Sequence, residues 1–169
     1  MKTLKVLLVT VFVIFSGFSG GPQTYETKKG VDVPIKIWLT IFPVHSTGDI
    51  MCIPEAYKVS LARYGYLQGH QTHGGQFIPG LSTWEITNCY LNSGLSISEV
   101  SGTITVANGD SYTWDCVMTI SSTGSVTLNT TFTGGTGRFE GVTGEMILTG
   151  AYNGNEIPCS GEGTMRFLK

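Results

Sequence analysis

The chain has 169 residues, of which 41% are apolar and 23 are glycine. This length and composition predict a single globular domain, because the chain is too short for two cores and too apolar for disorder. Ten basic and twelve acidic residues give a net charge of −2, which argues against a nucleic-acid partner, since phosphate contacts need clustered Lys and Arg.

The first twenty residues, 1–20, have the pattern of a signal peptide. Two lysines form a basic start, an apolar run covers 6–15, and mostly small residues follow at 16–20. The apolar run spans about ten residues, against the ~20 that a helix needs to cross a bilayer, so a membrane anchor is disfavoured. The sequence therefore predicts an exported protein, secreted or periplasmic, with one domain over 21–169 and no membrane span once the leader is removed.

Apolar residues alternate with polar ones along much of the remaining chain, which is typical of β-strands with one buried face. Eight such segments follow one another, separated by two stretches expected to be irregular, 43–54 and 65–80. The residues that mark the segments are, in chain order, Val33, Ile35, Ile37, Leu39 and Ile41; Tyr57, Val59 and Leu61; Trp84, Ile86 and Tyr90; Ile104 and Val106; Tyr112, Trp114, Cys116, Met118 and Ile120; Val126, Leu128 and Phe132; Met146, Leu148 and Tyr152; and Ile157, Met165 and Phe167.

Short turns separate the later segments. The pair Asn108-Gly109 readily takes the positive φ of a tight hairpin, and 122–124 and 153–155 have similar turn residues. Connections this short require antiparallel neighbours. Eight antiparallel strands with one apolar face each predict an all-β fold, an eight-stranded up-and-down barrel that leaves no unpaired edge. A two-sheet β-sandwich is the alternative.

The most distinctive segment is 132–144, with the sequence FTGGTGRFEGVTG. It resembles the Gly-Gly-Thr-Gly-x-Phe signature of the allene oxide cyclase and dirigent barrels. It is closer still to a group of small secreted bacterial proteins of uncharacterised function with a Gly-Gly-Thr-Gly-Arg-Phe-Glu-Gly core. The segments 33–36, 82–87 and 107–110 are further matches to proteins of that group. The resemblance implies an eight-stranded antiparallel barrel with a central cavity. We assign the family's catalytic carboxylate to no residue of this chain, so the resemblance carries over no catalytic role.

The physical interpretation of this motif is structural. Its residues of interest are Gly134, Gly135, Gly137, Arg138, Phe139 and Glu140. The three glycines are expected to take positive φ in a tight connection, and the aromatic ring is expected to close the barrel end. The Arg and Glu are expected to pair with each other or with neighbours. A phosphate-binding loop is excluded, because no helix and no Lys follow the glycines.

Four cysteines in an exported chain predict disulfides. Cys52 and Cys89 fall at the same end of an up-and-down barrel, so we pair them. That leaves Cys116 and Cys159, which either form a second bridge or remain buried thiols, because their strands are not neighbours and a bridge needs Cα atoms within ~7 Å.

Residues able to line a pocket cluster in the middle of the chain. The candidate ligand-binding residues are Tyr64, Tyr66, His70, His73, Trp84 and Glu85. The first interpretation of the two histidines, with His45 nearby, is a metal or acid–base site at the barrel mouth. On a strand, residues three apart point to opposite faces, so we favour one backbone-bonded and one exposed histidine, and no metal or cofactor. Trp84 is alternatively a core residue.

Three functions fit this fold. A barrel of about eight strands is just wide enough for one small ligand, so the first is binding of a small apolar molecule, or presentation of an extracellular surface. The second, a cyclase- or dirigent-like isomerase, needs an ionisable side chain inside a cavity, for which the sequence offers few candidates. The third, a structural or surface-assembly module, predicts an interior filled by large side chains.

Overall fold

The computed structural model describes residues 29–45, 49–52 and 60–168. The predicted signal peptide, 1–20, lies outside these residues, as do Tyr57 and Val59 of the predicted second strand. No helix in the described ranges is long and apolar enough to cross a membrane.

Eleven β-strands make up the described chain. They are β1 (Gly30–Val44), β2 (Ile50–Met51), β3 (Ser60–Leu61), β4 (Tyr64–Gln71), β5 (Gly75–Gln76), β6 (Thr83–Asn92), β7 (Leu95–Thr105), β8 (Ser111–Ile120), β9 (Ser125–Gly135), β10 (Thr143–Ala151) and β11 (Ile157–Leu168). Nine of them form one antiparallel sheet in the order β1-β11-β10-β9-β8-β7-β6-β4-β5, and β2 pairs with β3 alone. The prediction of an all-β antiparallel fold is confirmed.

The sheet closes on itself. β1 pairs with β11 on one side and with β4 on the other, while β5 pairs only with β4, so eight strands make up a ring. Burial alternates along most of the long strands, as in β8, where the sequence predicts it and the buried residues are Tyr112, Trp114, Cys116 and Met118. The alternation places one face of every long strand inside the ring.

Strand β4 corrects the sequence interpretation, which expected an irregular stretch from residue 65. Its inward positions are Gly65, Leu67, Gly69 and Gln71, with a single apolar side chain among them, so no apolar alternation marks the strand. A Cβ on Gly65 would lie 2.8 Å from the indole of Trp84, so glycine is needed for packing. A strand with small residues at its inward positions has no apolar alternation by which the sequence could identify it.

A β-bulge in β6 corrects a second expectation. The register with β7 shifts between Ile86 and Asn88, which reverses the facing of the residues that follow. Cys89 therefore points inward and is buried, whereas Tyr90, expected on the inner face, is 39% exposed.

Large and small residues alternate inside the ring. Gly65, Trp84, Gly102 and Trp114 are successive cross-strand partners on β4, β6, β7 and β8. A Cβ on Gly102 would lie 2.3 Å from the indole of Trp114, so this indole occupies the space that a side chain at 102 would need. Two tryptophans thus fit side by side because their neighbours have no side chain.

One end of the ring, here called the plugged end, is closed by the glycine-rich motif. Phe139 lies in a single 3-10 turn between β9 and β10 and is 1% exposed. Its ring centroid lies 5.0 Å from that of Tyr112 and 5.9 Å from that of Phe167. The aromatic residue of the motif therefore fills the space between the strand ends.

The glycines of the motif have two different roles. Gly134 and Gly137 have φ values of 143° and 56°, in the region that favours glycine. We also expected a positive φ for Gly135, but its φ is not positive. Glycine is needed there for a different reason, because a Cβ would lie 2.4 Å from the carbonyl oxygen of Ser111.

Arg138 joins the motif to two neighbouring loops. Its Nε lies 3.8 Å from Oδ2 of Asp110, and the same carboxylate accepts a hydrogen bond from the Arg138 backbone N–H at 3.3 Å. Its guanidinium also donates to the carbonyl oxygen of Gly74 at 2.8 Å. Arg138 therefore pairs with a neighbour and not with Glu140, which is exposed.

Candidate functional site

The centre of the ring is nearly full. A void of about 20 Å³ remains there, lined by Leu39, Ile41, Leu67, Ile104, Tyr112, Trp114, Leu128, Thr130, Met146 and Leu148. This volume holds about one water molecule, since a water needs roughly 10–15 Å³. Trp114 has a buried Nε1 with no hydrogen-bond partner in the described chain, and Thr130, whose side chain interacts with Cys116, supplies a second polar group. The void is too small for an organic ligand.

A larger space lies at the opposite end of the ring from Phe139, here called the open end. We name it the mouth pocket; its volume is about 150 Å³, and it is lined by Pro43, His45, Leu61, Ala62, Trp84, Ile86, Met118, Ile120, Tyr152 and Ile157. Most of these side chains are apolar, and they come from the last residues of some strands and the first of others. A cavity of about 150 Å³ with apolar walls is large enough to bind benzene.

Trp84, one of the residues that line the mouth pocket, carries a buried polar group. Its side chain is 6% exposed, and Nε1 is buried without a hydrogen-bond partner among the residues that the structure describes. A buried indole N–H usually has a partner, because leaving it unpaired costs about 1–3 kcal/mol. An acceptor atom on a bound molecule would supply that partner.

The disulfide lies at the same end of the ring. Cys52, in the segment after β1, is bonded to Cys89 of β6, with Cα atoms 4.6 Å apart, which is the pairing that the sequence favours. Ser96 Oγ lies 3.7 Å from both sulfur atoms, and Ser98 donates to Cys89 Sγ at 3.5 Å. The bridge ties the segment beside the mouth pocket to the ring.

The other two cysteines are free and buried inside the ring. Burial raises the pKa of Cys116 to about 12, and the nearby Cys159 thiol adds to that rise. Burial likewise raises the pKa of Cys159 to about 12 and that of Tyr112 well above its usual range. All three groups are therefore neutral at physiological pH, and neither thiol is a nucleophile there.

Four of the six predicted binding residues come together, but on the outside of the ring. Tyr64, Tyr66, Trp84 and Glu85 line an open depression of about 530 Å³ that crosses the outer face of four strands. Tyr64 and Tyr66 are 41% and 43% exposed, whereas Trp84 reaches inward and also lines the mouth pocket. The tyrosines face outward because Gly65, the residue between them, faces inward.

The structure does not bring the three histidines into one site. His70 is stacked on Trp38, with ring centroids 5.0 Å apart, on the outer face of β4 and β1. His73 has a φ of 60° in the turn after β4 and is exposed. His45 lies at the rim of the mouth pocket, where Nδ1 is 3.1 Å from Oδ2 of Asp49. Within the described ranges, no group of three or more His, Cys, Asp or Glu side chains is arranged to hold a metal ion.

Several lining residues of the mouth pocket carried no signal in the sequence. Pro43 lies in a stretch expected to be loop, Ala62 directly follows the second predicted strand, and Met118 and Ile120 look like ordinary core residues of β8. The alternation marks them as inward-facing, but the space left between them depends on how the strand ends are arranged.

No family model, no curated protein and no solved structure matches this chain. The likeness to the allene oxide cyclase and dirigent barrels thus depends on the motif residues alone.

Proposed function

We propose that this protein is an exported eight-stranded up-and-down β-barrel of the allene oxide cyclase and dirigent type that binds one small, weakly polar molecule in its mouth pocket. The observation that carries the proposal is an apolar space of about 150 Å³ lined by Trp84, whose buried indole N–H has no hydrogen-bond partner among the described residues. The ring of eight strands and the plug formed by Phe139 support the barrel. The Cys52–Cys89 bridge supports export, because disulfides persist in oxidising compartments.

The lining of the pocket favours binding over isomerase chemistry. Its titratable side chains, His45 and Tyr152, are both exposed at the rim, and the titratable groups deeper in the barrel are neutral thiols and a phenol. A general acid or base works best with a pKa near the operating pH, and the buried groups lie far above it. The residue of greatest interest is therefore Trp84, as a hydrogen-bond donor that orients the ligand.

The test compares two probes of nearly equal shape, benzaldehyde and styrene, of which only benzaldehyde has a carbonyl acceptor. One neutral hydrogen bond contributes about 1 kcal/mol, so the protein is expected to bind benzaldehyde roughly fivefold more tightly than styrene. Benzaldehyde should also shift the indole N–H resonance of Trp84 in a ¹⁵N-labelled sample, identified as the one missing from Trp84→Phe.

Two variants make the test specific. Trp84→Phe should remove the preference for benzaldehyde, whereas Trp114→Phe, which deletes the other buried unpartnered indole N–H away from the pocket, should keep it. Ala62→Phe should fill the pocket and abolish binding of both probes. If neither probe binds, or if the preference survives in Trp84→Phe, the proposal is wrong.

A further inference from the structure

The outer face of the sheet has a second depression, which shares only Trp84 with the lining of the mouth pocket. The depression of about 530 Å³ described above, here called the outer trough, crosses β4, β6, β7 and β8. Its outward-facing residues are Tyr64, Tyr66, Thr83, Glu85, Ser101, Thr103, Thr113 and Asp115. The trough is open to solvent, so a ligand would lie along it and not inside a closed cleft.

These residues form two cross-strand rows that each begin with a tyrosine. Tyr64 is followed on the next three strands by Glu85, Ser101 and Asp115, and the second row continues from Tyr66 across three threonines. Neighbouring strands lie about 4.8 Å apart, so each row spans roughly 14 Å. The trough is therefore an elongated strip with aromatic rings at one end and small oxygen-bearing side chains along the rest.

The polar groups of the strip are available to a ligand. Among the described residues, none forms a hydrogen bond with the side chains of Thr83, Ser101, Thr103 or Asp115. Hydroxyls both donate and accept, and carboxylates accept strongly, which is the complement of a molecule rich in hydroxyl groups. The exposed tyrosines offer flat apolar surfaces to its C–H faces.

The charge of the strip favours a neutral occupant over an anionic one. Arg63 donates to Glu85 at 3.0 Å, so this carboxylate is paired, while Asp115 has no partner among the described residues and repels an anion bound beside it.

We propose that the outer trough binds a neutral oligosaccharide, with Tyr64 and Tyr66 stacked on sugar rings and Ser101, Thr103 and Asp115 hydrogen-bonded to its hydroxyl groups. The site uses the outer face of the same strands whose inner face is the barrel core. Binding there and binding in the mouth pocket are therefore separable.

The test is calorimetric titration with hexasaccharides of glucose, N-acetylglucosamine, xylose and mannose, and with anionic hexagalacturonate. At least one neutral hexasaccharide is expected to bind and hexagalacturonate is not. Tyr66→Ala should weaken binding at least about tenfold, because aromatic contacts dominate such interfaces. Asp115→Asn should weaken it less.

The control is Tyr90→Ala, which removes a tyrosine of similar exposure on β6 outside the trough and should leave binding unchanged. The proposal is overturned if no neutral hexasaccharide binds, if hexagalacturonate binds more tightly, or if Tyr90→Ala weakens binding as much as Tyr66→Ala. It is also overturned if Tyr66→Ala abolishes self-association in sedimentation instead, since the occupant is then a second copy. Binding of benzaldehyde should be the same in all three variants.

Discussion

The two ends of the ring differ in how closely they are packed. At the plugged end, Phe139 is in contact range of two aromatic rings, and Arg138 joins Asp110 and the loop of Gly74. At the open end the side chains leave about 150 Å³ unfilled, and the indole N–H of Trp84 is unpaired within the described chain. From this difference we expect substitutions at the plugged end to change mainly stability, and substitutions at the open end to change the proposed binding.

The loss of the plug should have the largest effect on stability. Phe139→Ala removes a fully buried ring and should lower the free energy of unfolding by about 4 kcal/mol, measured by urea denaturation. Ile147→Ala, at a position 56% exposed, is the control and should change it by less than about 0.5 kcal/mol. If Phe139→Ala were as stable as the unsubstituted protein, the motif would not close this end of the ring.

Removal of the disulfide should lower the stability of the protein and weaken binding at the open end. The double variant Cys52→Ser/Cys89→Ser should lose about 3 kcal/mol of unfolding free energy, because the open chain gains entropy when a cross-link between distant residues is deleted. It should also weaken benzaldehyde binding, whereas the folded fraction of Phe139→Ala should bind normally. Equal binding in both would contradict the separation of the two ends.

The buried thiols should make the protein sensitive to alkali. Their pKa is about 12 in the folded protein and near 9 when unfolded, so between these values the unfolded state releases protons that the folded state retains. Stability is therefore full well below pH 9 and falls above it, by about 3 kcal/mol at pH 10 for two thiols. Urea midpoints at pH 7 and pH 10 measure the loss.

The matched control is Cys116→Ala/Cys159→Ala, in which the difference between the two pH values should shrink by that amount. An unchanged difference would show that other groups cause the alkaline loss. Both thiols should also resist iodoacetamide at pH 8 in the folded protein and react once it is unfolded.

The smallest loss of stability is expected from a substitution at the surface of the plugged end. Asp110→Ala removes the carboxylate that accepts from the Arg138 backbone and pairs with its side chain. Because the Arg138 side chain is 42% exposed, solvent screens the pair, and the loss should be about 1 kcal/mol. A loss as large as that of Phe139→Ala would mean that the ion pair, and not the ring, holds the plug in place.

The sequence predicts the long strands well and the sites poorly. Alternation predicts β8 because its buried inward residues are large or apolar, but it does not predict β4, where two of the four inward residues are glycine. The sequence marks Tyr64 and Tyr66 as binding candidates, but which face they lie on depends on Gly65. The face on which Tyr90 lies depends on a bulge. The mouth pocket has no sequence pattern, because its volume is set by the spacing of strand ends.

The ring is nearly filled in the middle and has its larger space at one end. Xenon enters dry apolar cavities, so a crystal of the protein pressurised with xenon tests this arrangement directly. The expected result is one xenon peak beside Trp84, Met118 and Ile120 and none in the 20 Å³ void below. A peak in the central void, or none in the mouth pocket, would contradict the account.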